Sequence, residues 1–129
     1  MLDHFGLFVQ ASKYAQAIAW YTAALAPLGY KLQEFIPGQL VGLSAETNDQ
    51  QNPFDIWIHK KDESQRSPVH LAFRAKNREE VDQYYQEAIK AGGKDNGKPG
   101  LRPQYGETYY GAFVEDPCGN SIEAVSHVP

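Results

Sequence analysis

The chain has 129 residues, 42% of them hydrophobic and 22% charged, with a net charge of −4 and one cysteine. At this length about two-thirds of the unfolded surface is buried on folding, enough core for one domain without disulfides. Cys118, the single cysteine, cannot form an intrachain disulfide, and no CxxC or Cys/His cluster suggests a structural zinc. The acidic balance argues against a nucleic-acid groove, which needs clustered Lys and Arg, whereas Lys60, Lys61 and Arg66 are interspersed with Asp62 and Glu63. No positively charged leader with a long apolar run opens the chain. The most apolar stretch, 15–30, is broken by Gln16, Thr22 and Pro27, too short and too polar to span a bilayer. The expectation is a soluble cytoplasmic protein with no nucleic-acid and no membrane partner.

In chain order, 4–9 (HFGLFV) is dense in β-formers and predicts a strand. Ser12 is the expected cap of a helix from Tyr14, in which Ile18, Tyr21, Ala24, Leu25 and Leu28 recur at helical spacing. Pro27 and Gly29 stop it. Residues 30–36 (YKLQEFI) alternate as a strand, Pro37-Gly38 turns the chain, and 39–45 (QLVGLSA) predicts another strand. A polar loop over 46–53 precedes a β-rich segment, 54–59 (FDIWIH). After a charged loop, 62–68, the pattern restarts with a strand at 69–75 (VHLAFRA). Asn77 then caps a helix whose Val81, Tyr84, Tyr85, Ala88 and Ile89 form the buried face and which Gly92-Gly93 ends. Residues 94–106, rich in Gly, Lys and Pro, read as a loop. Strands at 108–115 (TYYGAFVE) and 121–127 (SIEAVSH) follow, joined by the turn 116–120.

The order reads as β-α-β-β-β, twice, and the histidines supply a register. His4 and His70 open the two halves 66 positions apart, and His59 and His127 close them 68 apart. Each half therefore offers one His on an opening strand and a carboxylate on a closing strand: His4 with Asp55, His70 with Glu123. If the halves face each other, two imidazoles and one or two carboxylates converge, a donor set suited to a borderline divalent ion with an open position for a substrate oxygen. Trp57, Tyr109 and Tyr110 are the pocket candidates, because alternate residues of a cavity-lining strand face the cavity. His127, near the end, reads as a surface residue. Cys118 reads as inert, since no base or cation accompanies it.

The opening strand, VHLAFRA and above all YYGAFVEDPCGNSIEAV resemble the vicinal oxygen chelate superfamily, which includes glyoxalase I, fosfomycin-resistance thiol transferases, extradiol dioxygenases, methylmalonyl-CoA epimerase and bleomycin-binding proteins. The most specific piece is the ending F-V-x-D-P-x-G-N-x-I-E, residues 113–123. The resemblance implies an α+β fold in one domain, 1–129. Two tandem βαβββ modules, 1–61 and 69–129, would curl into a cup-shaped mixed sheet with the helices outside. It implies His4, His70 and Glu123 as ligands of a divalent metal (Zn, Ni, Fe(II) or Mn). By resemblance alone, Glu123 would also be the catalytic base. Members with four ligands place a Glu or His in the last strand of the first module; here Asp55, Trp57 and His59 share that face. The turn carries Cys118 where the family often has Asp.

The activity so implied is that of a glyoxalase-like lyase or isomerase acting on a small oxygen-chelating substrate through an enediolate-type intermediate. The alternatives are a non-catalytic drug-binding protein of the bleomycin-resistance type and an Fe(II) ring-cleaving dioxygenase. A homodimer is implied too, since the cup in this family forms within one chain or between two.

Overall fold

The computed structural model describes residues 4–45, 54–62 and 69–129. The segments read as loops at 46–53 and through most of 62–68, with Glu63 and Arg66, lie outside the described residues. The first module runs β1 (Phe5–Gln10), α1 (Tyr14–Leu25), β2 (Tyr30–Ile36), β3 (Leu40–Ala45) and β4 (Ile56–Lys61). The second runs β5 (His70–Arg74), α2 (Arg78–Lys90), β6 (Lys94–Leu101), β7 (Tyr110–Glu115) and β8 (Ser121–Ser126). The fold is α+β, two similar βαβββ modules with one four-stranded mixed sheet each. The sheet orders are β1-β4-β3-β2 and β5-β8-β7-β6, in which only the opening and closing strands of a module pair in parallel.

Two local expectations are corrected. The segment 94–106 is not all loop: β6 occupies its first part, paired antiparallel with β7 across two register shifts. Ser12 does not cap α1; it lies in a 3₁₀ turn, Ala11–Lys13, and α1 starts without a side-chain cap bond. Asn77 does cap α2. Its Oδ1 accepts from the Glu80 N–H at 2.9 Å while Glu80 Oε2 accepts from the Lys76 N–H at 2.8 Å, so each residue satisfies a donor the helix start leaves open. Gly29, after α1, and Gly92, after α2, take φ of +85° and +99°, the left-handed conformation that ends a helix and that a Cβ disfavours.

Alternation along the strands sorts side chains between a helix-covered face and an open face. Leu7, Val9, Val41, Leu43, Ile56 and Ile58 of the first sheet face α1 and are buried; Ala112, Val114, Ile122 and Ala124 of the second do the same against α2. One core spans both modules because the helices pack on each other. Trp20 Nε1 donates to the Ala88 carbonyl at 2.9 Å, and Tyr21 Oη donates to Asp116 Oδ2 at 2.6 Å. Asp116 also accepts from the Cys118 and Asn120 N–H groups and from Asn120 Nδ2, so this buried carboxylate pins the turn of the D-P-C-G-N motif to α1. No helix among the described residues is long and apolar enough to cross a membrane.

Candidate functional site

The open face of the second sheet gathers the polar residues. On β8, Ser121 and Glu123 point to it; on β7 and just before it, Tyr109, Gly111 and Phe113; on β5, His70. Glu123 is 2% exposed, although it lies on the open face, while the His70 side chain beside it is 52% exposed. His70 Nε2 stands 3.2 Å from Glu123 Oε2. The other ring nitrogen, Nδ1, is 3.1 Å from Ser121 Oγ, to which Asn96 Nδ2 also donates at 3.4 Å. With the proton on Nε2 the ring donates to Glu123 Oε2 and Nδ1 accepts from Ser121 Oγ; the other tautomer, with Nδ1 donating to Ser121, would offer the Nε2 lone pair to a metal.

Tyr109 Oη donates to Glu123 Oε1, so each carboxylate oxygen has a defined neighbour. Burial and the adjacent carboxylate push the Tyr109 phenol up to about 12, which keeps it a donor at neutral pH. Gly111 makes room for this arrangement: a Cβ there would stand 3.1 Å from Glu123 Oε1 and 3.3 Å from Tyr109 Cε1. Phe113 stacks on His70 with ring centroids 6.1 Å apart, and the His127 ring meets Tyr109 edge-on at 5.2 Å. Glu123 meets no lysine or arginine among the described residues, so the buried carboxylate is met here by the Tyr109 hydroxyl and His70.

Of the sequence candidates, the structure brings together His70, Glu123 and Tyr109. Tyr110 lies on the other face of its strand, its Oη donating to Asp82 Oδ1 at 2.8 Å and its ring under the Arg78 guanidinium. Trp57 sits on the open face of the first sheet, among Phe35 and Phe54. His4 lines a separate cavity of about 330 Å³ at the seam of the modules, with Phe5, Tyr30, Asp55, Phe73 and Arg74. There Tyr30 Oη donates to Asp55 Oδ2 at 3.1 Å. Ser121, Gly111 and Phe113 are not among the sequence candidates, yet each lies two or four positions from a candidate on the same strand face, and the period of two points to them; His127, just beyond β8, is exposed as expected.

The donor set suits part of a metal centre. Two ligands about 2.0–2.2 Å from one ion, at right or tetrahedral angles, stand about 2.9–3.5 Å apart, and the His70–Glu123 separation of 3.2 Å falls within that range. Among the described residues of one chain, however, no group of three His, Cys, Asp or Glu is close enough to hold an ion. His70 and Glu123 therefore fit as two ligands, and the described residues of one chain supply no third beside them.

The model of the glyoxalase/bleomycin resistance protein/dioxygenase superfamily matches residues 1–124. The chain belongs to this superfamily. Among solved structures of the superfamily, a glyoxalase/bleomycin resistance protein from Albidiferax ferrireducens T118 is 22% identical. It superposes with a TM-score of 0.71 over 96% of this chain and 97% of that one. A family enzyme from Burkholderia phytofirmans PsJN is 19% identical, with a TM-score of 0.67 over 98% of both chains. A lactoylglutathione lyase from Agrobacterium tumefaciens is 19% identical, with a TM-score of 0.63 over 95% of this chain and 91% of that one. At these identities the likeness to superfamily structures establishes the fold. No curated protein matches the chain in sequence.

Proposed function

We propose that the protein is a metal-dependent enzyme of the glyoxalase type that acts on a small oxygen-chelating substrate, with His70 and Glu123 as two of the ligands and His4 of a second copy as the third. The observation that carries this reading is the buried Glu123 carboxylate set 3.2 Å from an imidazole whose far nitrogen meets Ser121. Such a pair is oriented before anything binds. The ion, when bound, would polarise a pair of substrate oxygens.

The chain's own residues supply the remainder. Tyr109 holds Glu123 Oε1, which leaves Oε2 as the oxygen turned to the ligand side. The low exposure of Glu123 keeps water from the carboxylate, so a proton that Glu123 takes from a carbon next to a substrate carbonyl stays on the carboxylate until it is returned. His4 reaches the centre if the first module of one copy covers the second module of another, which makes the working unit a homodimer.

The test mixes chains carrying His4→Ala with chains carrying Glu123→Ala and measures zinc uptake. Neither variant alone should form a full site. The refolded mixture should recover about one quarter of the wild-type capacity, because half the dimers are mixed and each of those has one intact site. Absence of recovery contradicts the two-chain centre, and wild-type protein that takes up no zinc contradicts the whole reading.

A further inference from the structure

The strand ladders align the two modules residue by residue. In the second, Ala72 pairs with Glu123 and His70 pairs with Ser121. In the first, Gly6 pairs with Trp57. The separation between Gly6 and Ala72, like that between His4 and His70, is 66 positions, and the same step carries Trp57 onto Glu123 and Asp55 onto Ser121. Asp55 thus stands where Ser121 stands, beside the opening histidine of its module. The position of the carboxylate ligand belongs to Trp57.

Trp57 does not stand alone there. Its ring meets Phe35 at 4.8 Å and Phe54 at 5.3 Å, and Phe35 meets Phe54 edge-to-face at 4.9 Å. Gly42, opposite Trp57 in the ladder, leaves the space these rings use: a Cβ would stand 2.8 Å from Phe54 Cδ1 and 3.2 Å from Phe35 Cε2. The wall is open on one side, with Phe35 42% exposed, and Phe8, tilted against His59 with centroids 5.2 Å apart, continues it along β1 and β4.

We infer that Trp57, with Phe35 and Phe54, replaces a second carboxylate by an aromatic wall, so that the site selects substrates that carry a flat ring next to their chelating oxygens. This rests on the proposed function above, because it needs the first module to face the His70–Glu123 pair. The chemistry follows from the shared register. An oxygen pair held near His4, where a second carboxylate would otherwise reach, has its carbon skeleton against indole and phenyl surfaces that reward a planar apolar group.

Two bidentate oxygen chelators test it on zinc-loaded protein: catechol, which carries a ring, and glycolate, which does not. Isothermal titration calorimetry reads each chelator on the wild type and on every variant; in the wild type, quenching of the partly exposed Trp57 by catechol, with Trp20 fully buried, places the ring beside it. Trp57→Ala should weaken catechol about threefold to tenfold and leave glycolate unchanged, while Trp57→Phe keeps most of the ring preference. Trp57→Glu should restore a fourth ligand and tighten zinc by about tenfold or more, a factor on the scale of a single supporting group at a metal site.

Equal loss of both chelators in Trp57→Ala overturns the inference, as does unchanged zinc affinity in Trp57→Glu. Melting curves separate these outcomes from misfolding, with Phe35→Ala as a second variant expected to lose catechol selectively. Zinc uptake by the wild type without any ring preference sinks this inference alone. No uptake sinks the proposed function with it.

Discussion

Replacing Tyr109 by Phe removes one oxygen and leaves the ring that packs on Tyr105 and His127. The lost bond is to a carboxylate that is 2% exposed. Hydrogen bonds to charged groups contribute roughly 1.5–3 kcal/mol, and a buried acceptor left short of a donor is costly. Tyr109 itself is half-buried, so water can reach part of the vacated position, and the expected cost falls at the low end, about 1–2 kcal/mol. For a chain of this length that is a drop in Tm of roughly 3–8 °C.

Glu123 also loses the contact that fixes its orientation, so zinc affinity should fall about tenfold to a hundredfold. Thermal melts of the apo protein and calorimetric zinc titration read the two effects separately. Tyr110→Phe is the control, since its Oη bonds Asp82 on the opposite face; it should leave zinc affinity unchanged. If Tyr109→Phe melts and binds zinc as the wild type does, Tyr109 does not hold Glu123 and the description of the site is wrong.

Gly93→Ala would place a Cβ 2.5 Å from Val114 Cγ1, 2.6 Å from Trp20 Nε1 and 2.8 Å from the Ala88 carbonyl, at the bond that joins the helices. The expected loss is about 3 kcal/mol or more by denaturant midpoint, and a loss under about 1 kcal/mol would contradict the packing described. Alkaline pH is a second probe of the core. Tyr21 and Tyr84, and less completely Tyr30, are pushed above the ordinary phenol value chiefly by burial. The folded state therefore holds these protons more tightly than the unfolded chain, so their contribution is complete below about pH 10 and stability falls as pH rises beyond it. Phenolate absorbance should rise together with loss of the far-ultraviolet signal. Early titration of all eight tyrosines in the folded state would contradict the burial.

Much of the architecture was legible from the sequence because each module's pattern is local: β-rich runs of alternating residues, an apolar helix face and a glycine at each helix end. The strand β6 was not. Lys94–Leu101 (KDNGKPGL) contains two glycines and a proline and has no alternation, and it becomes a strand through pairing with β7. At the site, the D-P-C-G-N-S-I-E ending marked Glu123. The partner of Glu123 in the first module was not visible, because counting from the strand ends suggested Asp55 while the ladder selects Trp57. The same distance, 53 positions, separates His4 from Trp57 and His70 from Glu123. Tyr109 and Tyr110 were inseparable by composition, and only the face each occupies divides them between site and helix.

The central claim is that His70 and Glu123 act together as ligands. It is tested most directly by metal content after equilibration with zinc, comparing the wild type with His70→Ala and Glu123→Gln, each checked for a native melt. Stoichiometric zinc is expected in the wild type, and its loss in both variants. Native-like variants that retain zinc at the wild-type level would contradict it.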